Sequence, residues 1–258
     1  MLKVFIPEHD SMKKNNLLLL FVLMGMVASA APGDSLFVKS CTIDSLRKIC
    51  QLSNLKYLNI SSYKSDALPA EIGELQNLES LTLSWECFDV PFDTAYIPNE
   101  IGRLSKLTQL DIHSYSIQID IPAAIGALTQ LRKLHLYNMQ FDAVPEELGQ
   151  LLNLENVMLC GDLKSLPDSF ANWKKVKSLY LAGNDFEVMP NCIYKMTALE
   201  SLSLERCKMA HIGEELGNLV MLEDLNLSEM PELTTLPESI CALTQLRILD
   251  ITNTAIRE

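Results

Sequence analysis

The chain has 258 residues, of which 48% are hydrophobic, and a formal net charge of −12 at pH 7. That apolar share is ample for a buried core. The acidic balance argues against a nucleic-acid binder, because such domains carry a basic patch or stripe.

The N-terminus has the parts of an export signal. Lys13 and Lys14 precede an apolar run from Leu17 to Val27, and Ala28-Ser29-Ala30 supplies a small-residue cleavage motif. A positive n-region, a short apolar h-region and an A-x-A end define a secretory signal peptide. The run is too short for a bilayer span, which takes about 20 residues. Residues 1–30 are therefore expected to be a signal peptide, with translation starting more naturally at Met12. No membrane span is expected after its removal. No Cys stands at the cleavage point, so no lipid anchor is expected either. The Met-Lys-Lys-Asn-Asn start suggests a bacterial protein and an exported location: periplasm, cell surface or secreted.

Residues 31–54 read as an N-terminal cap. Leu36 and Val38 suit a short edge strand, and Ile43, Leu46, Ile49 and Leu52 recur at helical spacing. A solenoid needs such a unit, because its first repeat would otherwise expose an apolar face.

From Leu55 to the C-terminus one pattern repeats. Units begin at Leu55, Leu78, Leu107, Leu131, Leu154, Val176, Leu199, Leu222 and Leu246, most of them with the form L-x-x-L-x-L. Leu134 and Leu136 in the fourth unit alternate with outward residues, as a strand requires. A second column follows: Leu68-Pro69, Ile97-Pro98, Ile121-Pro122, Val144-Pro145, Leu166-Pro167, Met189-Pro190 and Leu236-Pro237. Proline fits the first turn of a helix, where its missing N–H is not needed. The seventh unit departs, with Ile212-Gly213. Gly73, Gly102, Gly126, Gly149 and Gly217 follow an inward Ile or Leu, where a side chain would crowd the next unit.

Over roughly residues 45–258 the chain resembles the leucine-rich repeat family, whose units run 20–29 residues. The resemblance implies an α/β fold: a right-handed solenoid, or horseshoe, with a concave parallel β-sheet and a helical or 3-10 convex side. About eight full units and one partial unit would occupy residues 55–258. The family's ninth position usually holds Asn. Asn184 keeps it and Cys207 is a recognised substitute, while Tyr63, Glu86, Tyr115, Met139, Asp162, Met230 and Thr254 stand elsewhere. Looser turns are the expectation. The last unit ends at Glu258 without a cap, which makes its edge a candidate for homotypic pairing.

No catalytic arrangement stands out. The chain lacks G-x-S-x-G, H-E-x-x-H, G-x-x-x-x-G-K-[ST] and C-x-x-C, so neither enzymatic activity nor a cofactor is expected. Cys41 and Cys50 are a candidate disulfide in the cap, although on one helix nine residues would hold them about 13.5 Å apart. His113 and His135 occupy outward positions in adjacent units, with Asp111 one strand away and Cys160 nearby. Nothing assembles the three or four ligands a zinc site needs, and no metal is expected. Asn59-Ile60-Ser61 and Asn226-Leu227-Ser228 match the short glycosylation acceptor motif.

Binding is the remaining class. The outward strand residues form the extended concave face that solenoids use for recognition. Aromatic and imidazole side chains gather in its middle. The candidate ligand-binding set is Tyr57, Trp85 (next in the chain after outward Ser84), His113, Lys133, His135, Tyr137, Met158 and Tyr180. Interface centres favour Trp, Tyr and Met. The long second unit adds Phe88, Pro91, Phe92 and Tyr96 just beyond Trp85, and insertions in repeats often mark the binding side. The resemblance implies a protein or peptide ligand as the usual partner. A glycan bound by the same aromatic patch is the alternative.

Overall fold

The structure is a computed structural model that describes residues 28–30, 34–85, 92–114, 117–137, 140–141 and 143–257. Most of the expected signal peptide, together with Glu86, Cys87, Phe88, Pro91, Tyr115 and Met139, lies outside these residues.

The L-x-x-L-x-L segments form the strands of one sheet. In chain order these are β1 (Ala28–Ala30), β2 (Ser35–Val38), β3 (Tyr57–Tyr63), β4 (Ser80–Trp85), β6 (Gln109–Ser114), β8 (Lys133–Tyr137), β9 (Asn156–Leu159), β10 (Ser178–Tyr180), β11 (Ser201–Ser203), β12 (Asp224–Asn226) and β13 (Ile248–Asp250). Each pairs with its neighbours in that order. All pairings from β2 onward are parallel, and the Ala28-Ser29-Ala30 segment pairs antiparallel with β2. The register is in phase from unit to unit: Leu110 faces Leu134, which faces Val157. Two further short strands, β5 (Thr94–Tyr96) and β7 (Gln118–Asp120), form a separate parallel pair in the second and third units. Single bridges extend it to Ala67 and Gln140.

The cap is as the apolar spacing requires. Leu46 and Ile49 are the buried side of helix α1 (Ile43–Ile49), whose N-cap Thr42 accepts a hydrogen bond from the Ser45 N–H. Cys41 and Cys50 are buried free thiols, so the candidate disulfide is not formed. Burial pushes both thiols up to about 12.

The convex side is built of 3-10 turns, the first of them Ala70–Glu74, Asn99–Arg103, Ala123–Ala127 and Glu146–Gln150. A proline with extended ψ precedes each of these four. Three residues per turn places positions i and i+3 on one face. Ile72 with Leu75, Ile101 with Leu104 and Ile125 with Leu128 therefore all turn inward and are fully buried. The glycine column has a steric cause. A Cβ on Gly102 would stand 2.6 Å from the Ala124 carbonyl, and one on Gly126 would stand 2.5 Å from that of Glu147.

The second position of every repeat but the third, which has Thr108, carries an exposed charge ladder. Lys56 pairs with Glu79, Arg132 with Glu155, Lys177 with Glu200 and Arg247 with Glu223. Exposed pairs of this kind stabilise little, so the stacking energy comes from the leucine core. At the far end Ile248 and Leu249 of β13 are exposed.

The turns are more ordered than the ninth-position residues suggest. Asn184 is fully buried and makes four bonds. Its Oδ1 accepts from the N–H groups of Gly161 and Leu163, and its Nδ2 donates to the carbonyls of Leu159 and Leu181. Cys207 Sγ reaches the Leu181 carbonyl at 3.6 Å, and Thr254 Oγ1 donates to the Ile251 carbonyl at 2.8 Å. Just before these positions Gly183, Arg206, Glu229 and Asn253 all adopt positive φ, between 58° and 76°. The N–H groups of Gly183, Arg206 and Glu229 donate to the carbonyls of Glu205, Ser228 and Thr252. This backbone ladder keeps the turns regular even where Met230 replaces Asn.

Candidate binding face

Strand alternation fixes which side chains reach the concave surface, and it removes Trp85 from the candidate set. Leu81, Leu83 and Trp85 alternate inward along β4. Trp85 is 1% exposed, donates its Nε1–H to the Ser65 carbonyl at 2.7 Å, and packs edge-on against Tyr63. It is a core residue. Phe92 also packs against the core, whereas Tyr96 is exposed on β5.

The other candidates lie where expected, but not all together. Tyr57 is 42% exposed near the N-terminal end, where its hydroxyl donates to Glu79 at 3.2 Å. His113 stacks on Tyr137, with ring centroids 4.9 Å apart and planes 19° from parallel. The parallel register produces that contact, because it sets His113 opposite Tyr137 and Asp111 opposite His135.

Asp111 is the organising charge. Its residue is only 9% exposed although it stands at an outward strand position. Oδ2 is 3.3 Å from Lys133 Nζ and 3.5 Å from His135 Nδ1. Burial pushes its carboxyl up, but the His135 and Lys133 interactions outweigh that and hold it below the usual carboxylate value. His113 is shifted down, by burial first and with Asp111 opposing in part. Among the described residues no group of three or more His, Cys, Asp and Glu is placed to hold a metal ion. Lys133 fills the third place around Asp111.

Beside this cluster the concave face deepens into a trough of about 850 Å³. Lys133, His135, Tyr137, Met158 and Tyr180 line it together with Asp111, so five candidates converge. The remaining lining comes from Cys160, already placed outward beside the histidines, and from residues that alternation alone did not single out: Gln140, Gly161, Asp162, Ala182, Gly183 and Arg206. Most of these belong to the turns after β8, β9, β10 and β11. Their signal in the sequence is the small pair that ends two successive strands, Cys160-Gly161 and Ala182-Gly183, beside the larger Tyr137 one unit earlier. Burial pushes the Cys160 thiol up to about 12. Tyr180 is raised by burial and by the neighbouring Glu205 carboxylate. Neither group is set up as a nucleophile or base near neutral pH.

The acceptor motif at Asn226 is engaged internally. Its Oδ1 accepts from both the N–H and the hydroxyl of Ser228, at 2.9 and 2.6 Å.

The family model described as "Leucine-rich repeat region" matches residues 36–135 and 121–232. Disease resistance protein RGA5 of Oryza sativa subsp. japonica is 25% identical over 79% of this chain and 19% of its own length. TMV resistance protein N of Nicotiana glutinosa is 30% identical over 62% of this chain and 12% of its own length. The volume-regulated anion channel subunit LRRC8B of Mus musculus is 26% identical over 81% of this chain and 26% of its own length. The chain thus spans about a quarter or less of these relatives. Among solved structures, a TDR receptor has a TM-score of 0.69 at 24% identity, covering 87% of this chain and 40% of that one. PEPR1-AtPEP1 has a TM-score of 0.64 at 18% identity, covering 89% of this chain and 36% of that one. Both agree with the solenoid fold. Repeat period, sheet register, convex 3-10 turns and family match coincide: the chain belongs to the leucine-rich repeat family.

Proposed function

We propose that this protein is a non-catalytic interaction module that captures a protein or peptide segment in the central trough of its concave face. The observation that carries this reading is the trough itself. It combines two tyrosines and a methionine with a lysine and an imidazole anchored by a nearly buried carboxylate. The aromatic rings supply rigid contact area, the thioether an adaptable surface, and fixed polar groups supply orientation. The thiol in the trough stays protonated, which favours binding over covalent chemistry. Export through the N-terminal segment is part of the same reading. It rests on the Lys13-Lys14, apolar-run and A-x-A sequence.

The test offers the purified protein a displayed random-peptide library and, in parallel, a glycan array. Peptides should be enriched by wild type and lost by the Tyr137→Ala/Tyr180→Ala double variant, with unchanged circular dichroism. Glycan capture that needs both tyrosines, without any peptide capture, would replace the peptide reading. Peptide capture indifferent to the double variant would move the site off the trough.

A further inference from the structure

Across the strand ends of the concave face runs a row of side chains whose size drops abruptly. The register places it residue by residue. His113 stands opposite Tyr137. The Cys160 N–H donates to the Leu136 carbonyl, which in a parallel pair sets Cys160 beside Tyr137. Met158 faces Tyr180, so two residues further on Cys160 faces Ala182. The Gly183 N–H donates to the Glu205 carbonyl, which sets Ala182 beside Glu205. The row therefore runs His113, Tyr137, Cys160, Ala182, Glu205, one residue per strand step of about 4.8 Å.

Its first two members already form a stack, with centroids 4.9 Å apart and planes 19° from parallel. Offset-parallel rings are favoured at about 4.5–7 Å, so the strand spacing suits a ladder of rings. His113 covers one face of Tyr137. The other face turns toward the next strand, where the row holds a thiol and then a methyl group in place of a ring. The trough lies on that side, lined by Tyr137, Cys160 and Ala182. It is open at its edge: a Cβ on Gly183 would meet nothing within 4 Å. From Tyr137 to Glu205 is three strand steps, about 14 Å, and only the two small side chains stand between.

The charges beside this space are already matched. Asp111 is paired with Lys133 and His135, and Glu205 with Arg206. Asp162 is exposed on the rim. A charged ligand group would have to compete with one of those pairs. A neutral ring needs only the face of Tyr137 and the Met158 thioether, a good neighbour for an aromatic edge.

We infer that the slot between Tyr137 and Glu205, floored by Cys160 and Ala182, takes an aromatic side chain of the captured peptide as its anchor. The incoming ring stacks on Tyr137 as the third member of the ladder that His113 begins. This deepens, and rests on, the reading of the trough as a peptide-binding surface. An aliphatic side chain of equal bulk fills the slot but forfeits the stack.

The first probes are N-acetyl-tryptophanamide and N-acetyl-leucinamide, followed by NMR of the Ala182 methyl group in the full chain. A ring over Cys160 turns its far face to that methyl and should move its proton signal upfield, while the leucine compound leaves it in place. Cys160→Phe, which fills the slot with a ring of the chain's own, should abolish the tryptophanamide shift and keep the wild-type thermal midpoint. Library-selected peptides should share an aromatic residue. Exchanging it for cyclohexylalanine, similar in bulk but without a π face, should weaken binding to wild type about two- to tenfold, the worth of one aromatic pair. The same exchange should cost nothing in Tyr137→Leu. Equal shifts with both probes, or an equal cost of the exchange in wild type and Tyr137→Leu, overturns the inference. Selected peptides that lack an aromatic residue yet are lost by Tyr137→Ala/Tyr180→Ala sink this inference alone. A tryptophanamide shift with no peptide enriched sinks the peptide reading and leaves a slot for free aromatic solutes.

Discussion

The two halves of the solenoid solve the same turn in different ways. In the N-terminal half the strands are long, seven residues in β3 and six in β4 and β6. Their ends are plugged by large side chains: Tyr63 donates to the Ala67 carbonyl and Trp85 to that of Ser65. In the C-terminal half β10 to β13 have three residues each. There the chain leaves the sheet through a left-handed residue and a backbone ladder, with Asn184 as the first plug. At these strand ends one half uses aromatic volume and the other hydrogen bonds. The trough lies where one regime gives way to the other, because the shortening strands and small turn residues open space beside Tyr137.

Breaking each half by its own device sharpens that contrast. Trp85→Ala removes a fully packed indole and should cost about 3–5 kcal/mol, read by urea unfolding. Hydrogen exchange should rise first in β3, β4 and β6. Asn184→Ala leaves the half-buried Gly161 N–H, the buried Leu163 N–H and the Leu159 carbonyl without their Asn184 partner, while the Leu181 carbonyl keeps Cys207 Sγ. At about 1–3 kcal/mol for an orphaned buried group, the loss should be about 3 kcal/mol. It should loosen β9 to β11 and leave β3 protected. An equal rise in exchange over both halves for either variant would contradict the division.

The central charge cluster predicts a pH effect of middle size. His113 has a folded pKa below its ordinary value of 6.5, and Asp111 one below its ordinary 3.8. In each case the unfolded chain binds the proton more readily, so stability falls as pH drops. The His113 contribution is lost as pH falls below about 6.5 toward its folded value, and that of Asp111 only below about 3.8. His113→Gln should flatten the first step of a stability–pH curve and leave the second. The smallest effect is expected at Glu229, whose φ is 59°. Glu229→Gly relieves a left-handed residue that costs about 1–2 kcal/mol. Glycine's extra unfolded-state entropy offsets part of this, leaving a gain of below about 1 kcal/mol in thermal unfolding.

Most of the fold was legible because leucine spacing, the proline column and the glycines at close contacts are each local and each repeated. The site was legible in part. Lys133, His135, Tyr137, Met158 and Tyr180 follow from alternation along the strands. Trp85 turns to the core and not to the concave face, because β4 continues its alternation to its last residue. The inward parity of Leu81 and Leu83 carries the correct answer. Arg206 and Gln140 could not be read at all, since their place in the trough depends on how the turns fold back. The left-handed backbone at Arg206 is imposed by its neighbours, not by its residue type. The deep burial of Asp111 likewise comes from Lys133 and His135 one unit later.

The proposal that the central trough holds the ligand has one direct test. The direct measurement is calorimetric titration of a library-selected peptide into wild type, Tyr137→Ala/Tyr180→Ala and Tyr57→Ala. A ligand held in the trough should bind the double variant at least about tenfold more weakly, the loss of one well-buried contact, and bind Tyr57→Ala unchanged. Wild-type affinity in the double variant, or loss in Tyr57→Ala alone, would contradict it.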